Sequence, residues 1–215
     1  MLALATLLSA VLALTPKPAL TPGANVPCPT KPATTITATA RLCPALEVSG
    51  QIDGGVAEID PAFSAMVAPS ELARFGRGDA ILSGYTTDGK IVFILPVPSD
   101  GPFHFYIPLS PQYVQSLARL TLAVGGAVAE RDASTHGEPE AEAVAVDDGR
   151  VLFAWNAQIF PAVRITSGPT DGGIAYGNGS STLQQVTVAS TTRRLTVEFS
   201  DGVHSFSRTY AIFGR

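Results

Sequence analysis

The amino-acid sequence predicts an all-β protein: two small antiparallel sandwich units in tandem, with little helix. Three observations carry this. Asp-Gly pairs recur through the body, at Asp53-Gly54, Asp88-Gly89, Asp100-Gly101, Asp148-Gly149, Asp171-Gly172 and Asp201-Gly202. The runs between several of them alternate apolar with polar residues or are rich in β-branched and aromatic ones. An acidic stretch poor in large apolar residues divides the body in two. Asp and Gly both tolerate the left-handed backbone of tight hairpin loops, so each pair is a turn candidate. Of 215 residues, 46% are apolar, enough for a core, and 15% are charged, against ~25% in ordinary soluble domains. With 20 Gly, 17 Pro and abundant Thr, Ser and Val, the composition suits the turns and strands of an extracytoplasmic β protein.

The first element is the apolar stretch Leu2 to Leu14. It matches the ~7–15 residues of a signal-peptide core and falls short of the ~20 that span a bilayer. Residues 1–24 are therefore expected to be a signal peptide, and no integral membrane span is expected. No Lys or Arg precedes the run, and cleavage after Ala13 or Ala24 would follow poor Ala-x-Ala matches; a start lying upstream would account for both. The other reading, a buried N-terminal helix or strand of a longer protein, is opposed by the Pro-rich stretch from Thr15 to Pro32. Residues 25–44 are read as a Pro/Thr-rich linker with a possible first strand in the alternating run Thr34 to Leu42.

Cys28 and Cys43 are the two cysteines and flank that run. In an exported chain they suggest a disulfide closing a loop of about 15 residues, worth ~3 kcal/mol in the chain-entropy model; in a cytosolic one they would be free thiols. Neither belongs to a Cys-x-x-Cys or zinc-ligand pattern, and Asn25-Val26-Pro27 does not fit a lipid-attachment site before Cys28.

The first unit is placed at 45–132. Ile81 to Thr86, Asp88-Gly89 and Ile91 to Leu95 make the clearest hairpin, followed by Phe103 to Ile107 and Leu120 to Val124. One helical turn is expected at Ser110 to Leu117, with Ser110 able to cap and Pro111 favoured at the first helical position. Residues 133–147 are read as an acidic linker. The second unit, 148–215, takes its strands from Arg150 to Trp155, Ala162 to Ile165, Gln185 to Val188, Leu195 to Phe199 and Tyr210 to Phe213. Strands succeeding one another without a long helix give antiparallel, Ig-like sandwiches. A unit of about 70 residues buries only ~60% of its unfolded surface, so the second is expected to pack against the first.

At these strands a resemblance enters. Phe103 to Leu109 running into Leu117 to Leu120, then Trp155 to Arg164, then Leu195 to Val203, resemble the tandem C-terminal β modules of some uncharacterised secreted bacterial proteins, over about residues 45–213. Such modules can follow an upstream catalytic region, sometimes similar to a metallopeptidase, which implies an accessory role. The sequence departs from that pattern in carrying no catalytic region, so the resemblance implies architecture and no active-site residue.

The candidate chemistry is sparse. A net charge of −4, with basic residues clustered only at Arg193-Arg194, gives no stripe to track phosphates, so no nucleic-acid partner is expected. His104, His136 and His204 are isolated from one another, unlike the convergent ligands of a metal site. His136 lies beside Glu138, Glu140 and Glu142, a group that could loosely hold a cation or be a solvated linker. Asp147-Asp148-Gly149 and Asp171-Gly172-Gly173 are the nearest approach to calcium loops, and hairpin geometry already explains them. Asp201, His204 and Ser205 are the residue types of a hydrolytic triad, crowded into one hairpin without a Gly-x-Ser-x-Gly elbow. Gly177 to Ser180 reads as a turn containing a formal glycosylation sequon. Arg77-Gly78-Asp79 matches a short adhesive peptide or is a chance turn. Trp155 sits in an apolar run and reads as core; Tyr85, Tyr106, Tyr113 and Tyr176 show no common spacing that would line a sugar site.

No catalytic, cofactor-binding or metal-ligating residue is assigned, and no cofactor is expected. The sequence thus points to a non-catalytic accessory or interaction module, secreted or held at the cell envelope, contacting protein or glycan at the cell surface through sheet faces or hairpin loops. The alternatives are an extracytoplasmic hydrolase with an unrecognised site and a C-terminal fragment of a larger secreted enzyme.

Overall fold

The structure, a computed structural model, describes residues 42–73, 77–134, 139, 141–147, 149–167, 170–189 and 192–212. The expected export segment, the Pro-rich stretch, Cys28 and the residues His136, Glu138 and Glu140 lie outside them.

Strand β1 (Cys43–Asp53) is the spine of the first sheet. Along one edge it pairs with β6 (Gly101–Ile107); along the other, β3 (Phe63–Val67) takes its first half and β2 (Val56–Ile59) its second. Facing it is a second antiparallel sheet in the order β5 (Ile91–Val97), β4 (Ala80–Thr86), β7 (Leu117–Val124), β8 (Ala127–Asp132). Period-two alternation sends Leu46, Val48, Ile52, Phe103 and Ile107 inward from one sheet and Leu82, Phe93, Leu95, Leu120 and Leu122 from the other, forming one continuous core. Gly50 occupies an inward position between Val48 and Ile52. A Cβ there would stand 2.6 Å from the Phe103 ring, so the missing side chain makes room for the aromatic one.

The helical turn α1 (Pro111–Ser116) forms where expected, but the cap does not operate as expected. Ser110 makes no side-chain capping bond, and its hydroxyl is buried without a partner. The preset φ of Pro111 and burial of Val114 define the turn instead.

The second sandwich has a three-stranded sheet, β9 (Ala141–Asp147), β10 (Arg150–Trp155) and β13 (Thr182–Thr187), with β10 in the middle. Its other sheet runs β12 (Thr170–Tyr176), β11 (Ala162–Ser167), β14 (Arg194–Ser200), β15 (Ser205–Ala211). Val151, Phe153, Trp155, Val163, Ile165, Leu195, Val197 and Phe199 meet in the core, where Trp155 Nε1 donates to the Phe160 carbonyl at 2.9 Å.

Besides β1, β2, β3 and β8, which the sequence reading does not single out as strands, two of its assignments differ from the structure. Ala141–Asp147, inside the stretch read as linker, form β9; Ala141 pairs opposite Trp155 and Ala143 opposite Phe153, so small residues fill the inward positions facing the largest rings. Alanines at these inward positions, with Glu142 between them, give no large apolar residue to mark a buried face. Asp171-Gly172 lies within β12, where the pairing with β11 is irregular, rather than between strands. Asp53-Gly54, Asp88-Gly89 and Asp201-Gly202 fall at hairpin turns, whereas Asp100-Gly101 carries the chain from one sheet of the first sandwich to the other. Both bodies are antiparallel, Ig-like β-sandwiches.

The β14–β15 hairpin crosses into the first sandwich. Val203 at its tip has no exposed surface and belongs to the first core. Ser200 Oγ donates to the Ala62 carbonyl at 2.6 Å, Ala62 N–H donates to the Gly202 carbonyl at 3.0 Å, and Ser134 N–H donates to the Asp201 carbonyl at 3.2 Å. Gly202 has φ +115°, and a Cβ would stand 2.7 Å from the Asp132 carbonyl. Glycine supplies both the positive φ and the close approach.

Candidate functional site

Two places gather polar and charged side chains as candidate sites: the outer face of the β5-β4-β7-β8 sheet and the joint between the sandwiches. On the outer face, pairing register lays side chains in transverse rows. The first row is Pro96, Ile81, Ala123 and Val128; the second is Ile94, Ser83, Thr121 and Glu130; the third includes Tyr85, Arg119 and Asp132. The face therefore grades from apolar at one end to charged at the other. Across its β4, β7 and β8 portion runs a groove of about 690 Å³, within the ~300–1,000 Å³ of ordinary ligand clefts.

The charged row is ordered by its own pairs. Arg119 Nε lies 2.8 Å from Asp132 Oδ1, and Arg119 NH1 lies 3.3 Å from Glu130 Oε2, so the guanidinium is held between two acids of β8. At the rim, in the β4–β5 turn, Thr86 donates to Asp88, and Lys90 beside Asp88 holds its carboxyl down at about 2. The groove offers apolar contact, hydroxyls and one aromatic ring, that of Tyr85.

At the joint, Arg164 of β11 reaches across to the first sandwich. Its NH2 lies 2.5 Å from Glu47 Oε2 and its NH1 3.2 Å from Glu198 Oε2, while its guanidinium carbon sits 4.5 Å above the Phe63 ring. The chain of bonds extends both ways. Glu47 Oε1 is 3.0 Å from His104 Nε2; Glu198 Oε1 accepts from Ser205 Oγ at 2.5 Å, and Ser205 Oγ accepts from the Ser64 N–H at 2.8 Å. Burial raises the Glu198 carboxyl above its ordinary value, against the opposing pull of Ser205 and Arg164.

The triad-type residues part company here. Asp201 is almost wholly buried and Oδ1 accepts from the N–H groups of Val203 and His204, while Oδ2 lies 3.0 Å from His204 Nδ1. Ser205 spends its single hydroxyl proton on Glu198. An acid–imidazole pair is assembled, then, but the nucleophile it would need donates elsewhere. A cavity of about 390 Å³ opens beside them, lined by Ser64, Pro111, Val114, Gln115, His204, Ser205 and Phe206.

The other sequence candidates are dispersed. His104 is a half-exposed member of the Glu47 chain. Among the described residues no three His, Cys, Asp or Glu side chains converge as metal ligands. Arg77, Gly78 and Asp79 are exposed between β3 and β4. Tyr85 lies in the groove, Tyr113 packs on the first core, Tyr106 touches His104, and Tyr176 is exposed on the second sandwich. Cys43 is buried at the start of β1; its pairing with Cys28 stays a proposal. Glu47, Arg164 and Glu198 were missed from sequence, although a lone charge inside Ala162-Val163-Arg164-Ile165 was the available signal. The groove was missed because its register comes from pairing β4 with β7, across two intervening strands.

No protein-family model matches the chain, and no curated protein matches it. Among solved structures, a two fibronectin type-III domain segment from chicken tenascin is similar, at 14% identity over 78% of this chain and 98% of its own, with a TM-score of 0.27. The class of protein, an all-β tandem of antiparallel sandwiches, rests on the strand pairing itself. Among the described residues no helix is long and apolar enough to cross a membrane.

Proposed function

We propose that this protein is a non-catalytic, exported accessory or interaction module, and that it contacts protein or glycan at the cell surface through the outer face of β5-β4-β7-β8. The observation that carries the reading is the graded groove of about 690 Å³ on that face, with Ile81 and Val128 at its apolar end and Tyr85 and Arg119 at its polar end. Large exposed patches with polar rims are where soluble proteins meet partners. In this reading residues 1–24 act as the export signal, the Pro/Thr-rich residues up to 42 tether the body, and its two units are the sandwiches built from β1 to β8 and from β9 to β15. The resemblance to tandem modules of secreted bacterial proteins supports an accessory role.

The test is a panel of glycans and cell-surface proteins screened against the full chain, repeated with Thr121→Arg in the middle of the groove and Leu183→Glu on the remote, exposed β13. Binding lost in the first variant and kept in the second supports the reading. Binding indifferent to Thr121→Arg, or hydrolysis of a test substrate, overturns it.

A further inference from the structure

The β14–β15 hairpin presents His204 in an unusual position between two acceptors. On one side Nδ1 lies 3.0 Å from Asp201 Oδ2. On the other, Nε2 is sealed from solvent without a hydrogen-bond partner, beside the cavity that His204 shares with Pro111, Val114 and Gln115 at the end of α1, and the nearby Gln115 and Leu117 carbonyls favour the charged ring. A neutral imidazole has one donor and one lone pair. With its proton on Nδ1 for Asp201, it would turn the lone pair of Nε2 toward backbone carbonyls in a site closed to water. An imidazolium donates from both nitrogens and suits both neighbours.

Among the described residues, the charged and titratable groups around the ring come from each neighbouring element. Asp201 is the charged group of its own hairpin in contact with it. From β14, Glu198 approaches only through Ser205; from β8, Arg131 and Asp132 pack against Gly202, Asp132 through its carbonyl. Helix α1 lines the adjacent cavity with Pro111, Val114 and Gln115, and its one ionisable side chain, Tyr113, packs on the first core. β15 adds the Phe206 ring, 6.4 Å from the imidazole.

We infer that His204 is a proton-operated clasp between the two sandwiches: as an imidazolium it ties Asp201 of the hairpin to the carbonyls at the end of α1, and on losing its proton it loosens the joint around Val203. The hydrogen bond to Asp201 raises the His204 pKa, burial opposes it, and the Leu117 and Gln115 carbonyls add to the rise. A group raised in the folded state contributes fully below its unfolded value, about 6.5, and the contribution is lost as pH climbs through the folded value. The clasp is therefore closed in mildly acidic surroundings and opens on the alkaline side.

The experiment is nitrogen-15 NMR of the full chain, following His204 ring nitrogens and exchange protection of the Ala62 and Ser134 amides, which donate to Gly202 and Asp201 across the joint. The expected result is a His204 midpoint above its ordinary value, with protection of those two amides falling over the same interval by about tenfold per unit of displacement. The Phe199 amide, inside the second sandwich, should not follow. In His204→Gln the joint amides should lose this pH dependence. A His204 ring already neutral at pH ~6, or joint protection with the same pH course in both proteins, overturns the clasp. Should the variant not fold, the wild-type midpoint and amide profile decide it.

Discussion

The guanidinium of Arg164, on the second sandwich, sits over the Phe63 ring of the first, its central carbon 4.5 Å from the centroid. The same group bridges Glu47 and Glu198, so a cation–π contact and two ion pairs converge on one side chain, four-fifths shielded from water. Removing a partner from such a set leaves uncompensated buried charge, which costs more than the set itself contributes.

Arg164→Met should therefore lower unfolding free energy by roughly 3 kcal/mol, read as a shift in urea midpoint. Arg164→Met combined with Glu47→Gln and Glu198→Gln should recover a large part of that loss. If the triple variant is as unstable as the single one, the damage is packing over Phe63 and not stranded carboxylates.

Glu198 gives a pH prediction of known sign. Burial raises its carboxyl in the folded protein, so its protonated form is favoured on folding and its contribution declines as pH rises from the unfolded value, about 4.3, through the folded one. Wild-type stability should fall more steeply across that interval than the stability of Glu198→Gln. Denaturant midpoints at half-unit pH steps measure the difference, and parallel profiles would refute it.

Val203 is buried in a core to which its own sandwich does not belong. Val203→Ala should cost about 1–3 kcal/mol, and Val203→Asp should separate the bodies by placing a carboxylate among Leu, Val and Phe side chains. Small-angle scattering should show an enlarged radius for the second variant with far-ultraviolet circular dichroism retained.

Pairing of Cys28 with Cys43 would shorten the unfolded chain by a loop of about 15 residues, for ~3 kcal/mol. Mass spectrometry after alkylation without reductant should then find both thiols blocked, and reduction should lower the melting temperature. Two alkylated cysteines in the native protein would exclude the bond.

Most strands could be read directly because the two devices that write them are local: alternation of side chains, and Asp-Gly at the turns. β9 escaped because its inward residues are alanines, too small to announce a buried face, matched to Trp155 and Phe153 only through a register set elsewhere. The joint escaped for a related reason. Val203 stands in a tight Asp201-Gly202-Val203-His204 turn, where a branched apolar residue has no local use, and Arg164 stands alone in an apolar strand; each is explained only by a surface the other sandwich provides. His204 was noticed for its residue type, but its second neighbour, the end of α1, is nearly ninety positions earlier in the chain.

The sharing of Val203 has a consequence for how such a chain could be cut or recombined. A fragment ending in the acidic stretch would keep every strand of the first sandwich and still lack one piece of its filling, leaving a hole the size of an isopropyl group open at the edge. Exchange of the second sandwich for another would succeed only if the newcomer brought a hairpin of the same reach. The two bodies are thus heritable as a pair, like a key left in its lock, rather than as beads that can be shuffled one at a time.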